Sequence, residues 1–340
     1  MIPDAQAPHG VGASHSTTPN LDSRLALQVD AKLTDDFSAV VQGVTEYAVY
    51  STYKPKLSLA HVKYRFSRHF TARLGRINAP LYMLSEFQRV GYAMPWVRAP
   101  FEVYNTLLPF DGAEGLYTFN LGETAIGVQG FYGRSHSEIV DIDNFRGLAV
   151  TADHGFSSFR AVYIQGKLQP KAPEVGGLFD LYAQVAPGVA DRLDPRGSSG
   201  KFEAVGYVYD PGTWFLRSEV VRSDNPSMQG RTDSGYLTVG IRRGKLTPSL
   251  TFAHVDYKVN YLGAADPIGI VDLAAAAGES SRHSFTAGLR WDVRESMDIK
   301  FQATHVQNHA GSYGALSNIQ PGFQTGGSYN LLSASFDFVF

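Results

Sequence analysis

The chain ends in Ser328-Tyr-Asn-Leu-Leu-Ser-Ala-Ser-Phe-Asp-Phe-Val-Phe340. Read in steps of two, Leu332, Ala334, Phe336, Phe338 and Phe340 are apolar, while Ser333, Ser335 and Asp337 between them are polar or charged. Successive side chains of a strand point to opposite faces, so this stretch predicts a strand with one greasy and one wet face. The greasy face runs to the last residue of the chain. An amphipathic strand also suits a soluble sheet, so the decision rests on what repeats upstream.

After Leu21 the sequence repeats a pattern of amphipathic segment, short turn, amphipathic segment and longer connection. Short turns are expected at Thr34-Asp35-Asp36, Ser67-Arg68, Gly122-Glu123, His154-Gly155-Phe156, Pro211-Gly212, Arg243-Gly244 and Arg294-Glu295-Ser296. Most carry the Gly, Pro, Asp or Ser that tight turns need. Longer connections are expected near 51–56, 80–111, 134–144, 169–199, 224–233, 258–281 and 308–327. The strands between them fall at 23–33, 37–50, 57–66, 69–79, 112–121, 123–133, 145–153, 157–168, 200–210, 213–223, 234–242, 246–257, 282–292, 297–307 and 328–340. Segments of about 10 residues with alternating short and long connections match a transmembrane β-barrel, with short periplasmic turns and long external loops.

Fifteen strands is an odd number, whereas single-chain bacterial barrels have an even one. A partner strand before residue 1 is therefore expected to close a sixteen-stranded ring, with fourteen or eighteen as the neighbouring counts. On that reading residues 1–20 are the first external loop. They have neither a basic start nor an apolar core, so the export signal is expected further upstream.

Composition agrees with an all-β, single-domain barrel over residues 1–340. Charged residues make up 18% of the chain, below the roughly 25% of soluble domains. The 34 Gly, 18 Tyr and 21 Phe suit close-packed strands and interfacial aromatic girdles. No stretch approaches the ~18 apolar residues of a spanning helix. Mean hydropathy is -0.15, as expected when lipid-facing and lumen-facing residues alternate. The absence of Cys removes disulfides, thiolate metal sites and Cys nucleophiles. A net charge of -2 gives no reason to expect nucleic acid as a partner.

By topology and by its terminal strand, the chain resembles the outer-membrane porin superfamily of Gram-negative bacteria over nearly its whole length. The resemblance implies an outer-membrane channel for passive diffusion of small hydrophilic solutes and ions, surrounded by lipid and lipopolysaccharide and assembled as a homotrimer. It also implies that the third external loop, 80–111, folds into the lumen as a constriction. That loop contains Leu81-Tyr-Met-Leu-Ser-Glu-Phe-Gln-Arg-Val-Gly-Tyr-Ala-Met-Pro-Trp-Val-Arg-Ala-Pro-Phe-Glu-Val-Tyr104. It lacks the Pro-Glu-Phe-Gly-Gly type of segment found in some enterobacterial porins.

Clean alternation assigns faces. Outward sets such as Leu25, Leu27, Val29 and Ala31, or Phe285, Ala287, Leu289 and Trp291, leave the charges inside. A mid-bilayer Arg or Lys on the lipid face costs ~2–4 kcal/mol. The expected pore-lining residues are Arg24, Lys32, His61, Lys63, Arg65, Arg73, Arg217, Glu219, Arg242, Arg290 and Lys300 on the wall. Glu86, Arg89, Arg98, Glu102 and Asp111 are expected on the loop. The wall is mainly cationic. It either confers weak anion preference or cross-braces the loop through Glu86, Glu102 and Asp111; the two are compatible. Tyr92, Trp96, Phe101 and Tyr104 either pack the loop on the wall or line a greasy slide. Faces of 157–168 and 200–210 stay open, because they alternate poorly.

An enzyme is not expected, nor any cofactor or metal. Asp153-His154 with Ser157-Ser158 resembles a triad on paper but lies in a tight turn. His305 and His309 straddle a strand end. The alternative to a general channel is one selective for sugars, aromatic acids or oligoanions. A third class is a structural or adhesive barrel with no conductance.

Overall fold

A computed structural model of the chain describes residues 17–20, 23–47, 53–87, 89–105, 109–137, 139–260, 262–263, 266, 269–272, 278–314, 316 and 324–340. Most of the expected first external loop (1–16) and the end of the expected strand 37–50 lie outside them.

Fifteen strands form one sheet: β1 Arg24–Lys32, β2 Phe37–Glu46, β3 Lys56–Arg65, β4 Phe70–Asn78, β5 Pro109–Leu121, β6 Thr124–His136, β7 Val140–His154, β8 Ser157–Pro170, β9 Ser199–Tyr209, β10 Trp214–Asn225, β11 Gly230–Ile241, β12 Leu246–Lys258, β13 Arg282–Arg294, β14 Met297–Asn308 and β15 Ser328–Phe338. Each pairs antiparallel with its neighbours in chain order. All fifteen segments read from alternation are present. Among the described residues, no strand pairs with the outer edge of β1 or of β15.

The outer face is apolar and open. Leu27, Leu74, Leu250 and Phe301 are all more than half exposed, and Leu332 is 85% exposed. Leaving such side chains in water forgoes about 1.5–3 kcal/mol each, and soluble proteins do not display bands of them. Toward the short-turn end the band becomes aromatic. Tyr64 and Phe66 lie 4.7 Å apart, Phe66 and Phe70 5.4 Å, and Tyr209 and Trp214 5.2 Å between ring centres. Rings gathered at one level form an interfacial girdle. Among the described residues, no helix is long and apolar enough to cross a membrane.

Four expectations need correction. The connections expected near 134–144 and 224–233 are tight, spanning only 137–139 and 226–229, because β6/β7 and β10/β11 keep pairing beyond the apolar band, as in His136↔Asp141 and Asn225↔Gly230. The connection 169–199 is helical: α1 Pro173–Val185 and α2 Pro187–Leu193 bury Phe179, Tyr182 and Leu193 with Val271 from the β12–β13 connection. Asp111, expected on a loop, lies in β5 and pairs with Arg76 of β4 at 2.7 Å.

Candidate functional site

The connection between β4 and β5 lies against the inner face of the sheet. Its residues Ala79, Leu81, Tyr82, Leu84, Met94, Trp96, Val103 and Tyr104 form one buried cluster with wall residues such as Phe131, Phe145, Val162, Ala204 and Tyr236. This explains why β8 and β9 alternate poorly. Their inner positions Val162, Ile164, Phe202 and Ala204 are apolar because they receive the connection, while Phe159, Tyr163, Val205 and Tyr207 are apolar because they face outward.

Polar bonds fix the connection from end to end. Arg73 donates to Glu114 on β5 at 2.7 and 2.9 Å and to Glu86 at 2.8 Å. Buried Glu219 accepts the Met83 amide at 2.8 Å, the Tyr236 hydroxyl at 3.1 Å and the Tyr104 hydroxyl. Trp96 donates its indole N–H to Thr251 at 3.0 Å. Gln302 accepts the backbone amides of Val97 and Arg98. Lys300, 1% exposed, donates to the Gly91 carbonyl and to Asp337, both at 2.8 Å. Arg290 donates to the carbonyls of Tyr92 and Met94, lies over the Tyr92 ring and pairs with Asp292 and Asp298. Glu102 and Arg282 form a buried pair at 3.0 Å. A Cβ added at Gly91 would collide with the Asp337 carboxylate, which would have to turn away from its place beside Lys300. The sheet is thus wound around a strap that it grips from β4 to β15.

Solved structures with a similar fold include outer-membrane channels. An anion-selective porin from Comamonas acidovorans superposes with a TM-score of 0.60 at 16% identity, covering 95% of this chain and 91% of that one. OmpF of Salmonella typhi in complex with daunomycin gives 0.57 at 10% identity, covering 92% and 89%. The outer membrane channel DcaP of Acinetobacter baumannii gives 0.55 at 12% identity, covering 93% and 85%. The fold is that of the outer-membrane porins. No protein-family model and no curated protein matches the sequence.

Within this porin fold, the residues singled out from sequence fall into three groups. Arg73, Glu86, Arg89, Arg98, Glu102, Glu219, Arg290 and Lys300 meet at the strap or carry it. His61, Lys63 and Arg217 sit on the wall. His61 is buried with its Nδ1 3.3 Å from the Arg76 carbonyl. Lys63 is exposed opposite Arg73 in register. Arg217 lies over its strand neighbour Phe215, and among the described residues it has no ion-pair partner. Arg24, Lys32, Arg65, Arg242 and Asp111 lie at strand ends. Arg24 opposes Glu46 in register. Lys32 pairs with Asp35 at 2.7 Å and Arg65 with Asp36 at 3.0 Å. Arg242 donates to Asp210 at 2.6 and 2.7 Å, which holds that carboxyl below its ordinary range.

Of the loop aromatics, Trp96 and Tyr104 pack on the wall, whereas Phe101 is half exposed beneath Arg282. Sequence reasoning missed Arg160 and Arg282. Arg160 donates to Thr151, Gln129 and the Pro80 carbonyl. Alternation in β13 carried back one step from Ser284 puts Arg282 inside. For Arg160 the doubly apolar strand hid the signal. The triad-like residues do not form a relay: Ser158 bonds Asp153, Ser157 bonds Tyr207, and the His154 ring reaches Thr124. His305 contacts Asn330, while the His309 ring lies beside His254.

Proposed function

We propose that the chain forms a water-filled outer-membrane channel for passive diffusion of small hydrophilic solutes and ions, narrowed by the strap and weakly anion-preferring. The observation that carries this reading is the strap held across the inside of a sheet whose outer face is apolar. A mere anchor needs no polar, cross-braced interior, and buried charges cost several kcal/mol unless they are paired or reach water. The anion preference rests on residual charge. Arg160 and Arg217 face inward on β8 and β10, and neither has an ion-pair partner among the described residues. Single-sign charge on a pore wall biases which ions pass. On this reading the protein is not an enzyme, needs no cofactor, lies among lipid and lipopolysaccharide, and works as a homotrimer.

The deciding experiment is single-channel recording in planar bilayers under a salt gradient. Stable steps with a reversal potential favouring chloride are expected. Steps without ion preference would remove the charge argument. Silence from a folded, heat-modifiable barrel would reject the channel.

A further inference from the structure

Beside the strap lies a half-enclosed cavity of about 740 Å³, within the size range of small-molecule sites. One side is greasy: Tyr82 of the strap, Phe145 on β7, Ile164 on β8, Phe202 on β9 and Val221 on β10. The Tyr82 and Phe202 rings meet edge to face at 5.6 Å. Basic residues also reach the lining: Lys56 and Arg76 on β3 and β4, Arg89 on the strap, and Lys201 on β9. Among the described lining residues Glu46 is the single carboxylate.

Arg89 is the group left underused. Its side chain is only 14% exposed, and among the described residues its one ion pair, to Glu46, stretches to 3.5 Å. Among the described residues its buried Nε has no hydrogen-bond partner. Arg76, by contrast, is engaged by Asp111 through two bonds of 2.7 and 2.8 Å. A guanidinium with spare donors in a partly desolvated cavity is suited to a planar carboxylate. An inorganic anion would have no use for the apolar wall.

Resting on the channel reading above, we infer that this cavity is a subsite for a small amphipathic monocarboxylate. Arg89 takes the carboxylate, and the Tyr82, Phe145 and Phe202 wall takes the ring or acyl body. The pore would then slow and concentrate such solutes while passing chloride freely.

Three probes separate the contributions: benzoate carries charge and ring, acetate the charge alone, and benzyl alcohol the ring alone. Equilibrium dialysis against the detergent-solubilised full chain reads binding without needing a current. Benzoate should bind saturably and at least tenfold more tightly than either of the others. Arg89→Gln should weaken benzoate about tenfold, the loss of one charge-assisted contact, and Arg89→Lys should recover part of it. Phe202→Ala should shrink the gap between benzoate and acetate. In bilayers, benzoate should shorten open times in a concentration-dependent way.

Equal binding of benzoate and acetate, or benzoate binding unchanged in Arg89→Gln, would overturn the subsite. The three-probe comparison uses the unaltered protein, so it decides the matter even where a variant fails to fold. Saturable benzoate binding without any chloride current would instead keep the subsite and sink the channel.

Discussion

The Glu102 and Arg282 pair offers the sharpest quantitative test of how the strap is held. Both side chains are about 95% buried and they meet at 3.0 Å. Arg282 also donates to the Gly314 carbonyl at 2.6 Å and lies over the Phe101 ring at 5.2 Å. Glu102→Leu strands a buried guanidinium, and Arg282→Met strands a buried carboxylate. Each single change should cost about 3–5 kcal/mol, the penalty for leaving one charge of a buried pair alone. The double variant removes both charges. It should lie within about 1–2 kcal/mol of the parent, because apolar replacement of a buried pair is often neutral, while loss of the half-exposed cation–π contact adds ~0.5–1 kcal/mol. The resulting coupling is several kcal/mol, well above the few tenths by which distant sites depart from additivity. The assay is guanidinium unfolding in lipid vesicles, followed by the electrophoretic shift of the folded barrel, with all four proteins in one cycle. A double variant as unstable as the sum of the singles would refute the reasoning, as would a single change costing under about 1 kcal/mol.

Other outcomes follow from individual contacts. Arg217→Gln should move the reversal potential toward cation preference; an unchanged reversal potential would show that Arg217 does not sense the permeating ions. Gly91→Ala should destabilise by about 1–3 kcal/mol, the usual cost of overpacking, because the methyl displaces the Asp337 carboxylate from Lys300; an unshifted unfolding midpoint would refute that tight fit. At the short-turn end, Asp210 titrates below its ordinary range because Arg242 donates to it. Its contribution is therefore present above the unfolded carboxylate pKa and lost as pH falls through the lower folded value, so Asp210→Asn should be weaker than the parent near neutrality and converge with it in strong acid. A gap that did not close in unfolding midpoints across that range would contradict the assignment.

The strands were legible because lipid on one side and water on the other impose a period of two that survives in the residues. Leu25, Leu27 and Val29 against Arg24, Gln28 and Asp30 is as plain in sequence as in space. Legibility failed where a third environment intervened. On β8 and β9 the strap makes the inner face apolar too, and the alternation vanishes. Helix α1 was invisible because Gly176 and Gly177 weaken its propensity, and it depends on packing Phe179 and Tyr182 against Val271, far along the chain. The charge types of the site were readable, but their partners were not. Arg282 meets a carboxylate 180 positions away, and Asp111 answers to Arg76, a wall cation that alternation did not single out. Lys32 and Arg65 show the limit of parity reasoning at strand ends, where solvent and turn carboxylates replace the lumen.

The strap's anchors bear on the order of events during assembly. Its bonds reach Glu219, Thr251, Arg282, Gln302 and, through Gly91 and Lys300, the last strand at Asp337. The strap therefore cannot complete its docking until the final strands have been added, and contacts so distant in sequence are slow to form. The nascent pore should pass through a wide, unstrapped stage in which Trp96 is still wet. In refolding experiments strand formation should precede the burial of Trp96, and a Trp96 signal that rose together with the sheet would place the strap in the folding nucleus instead.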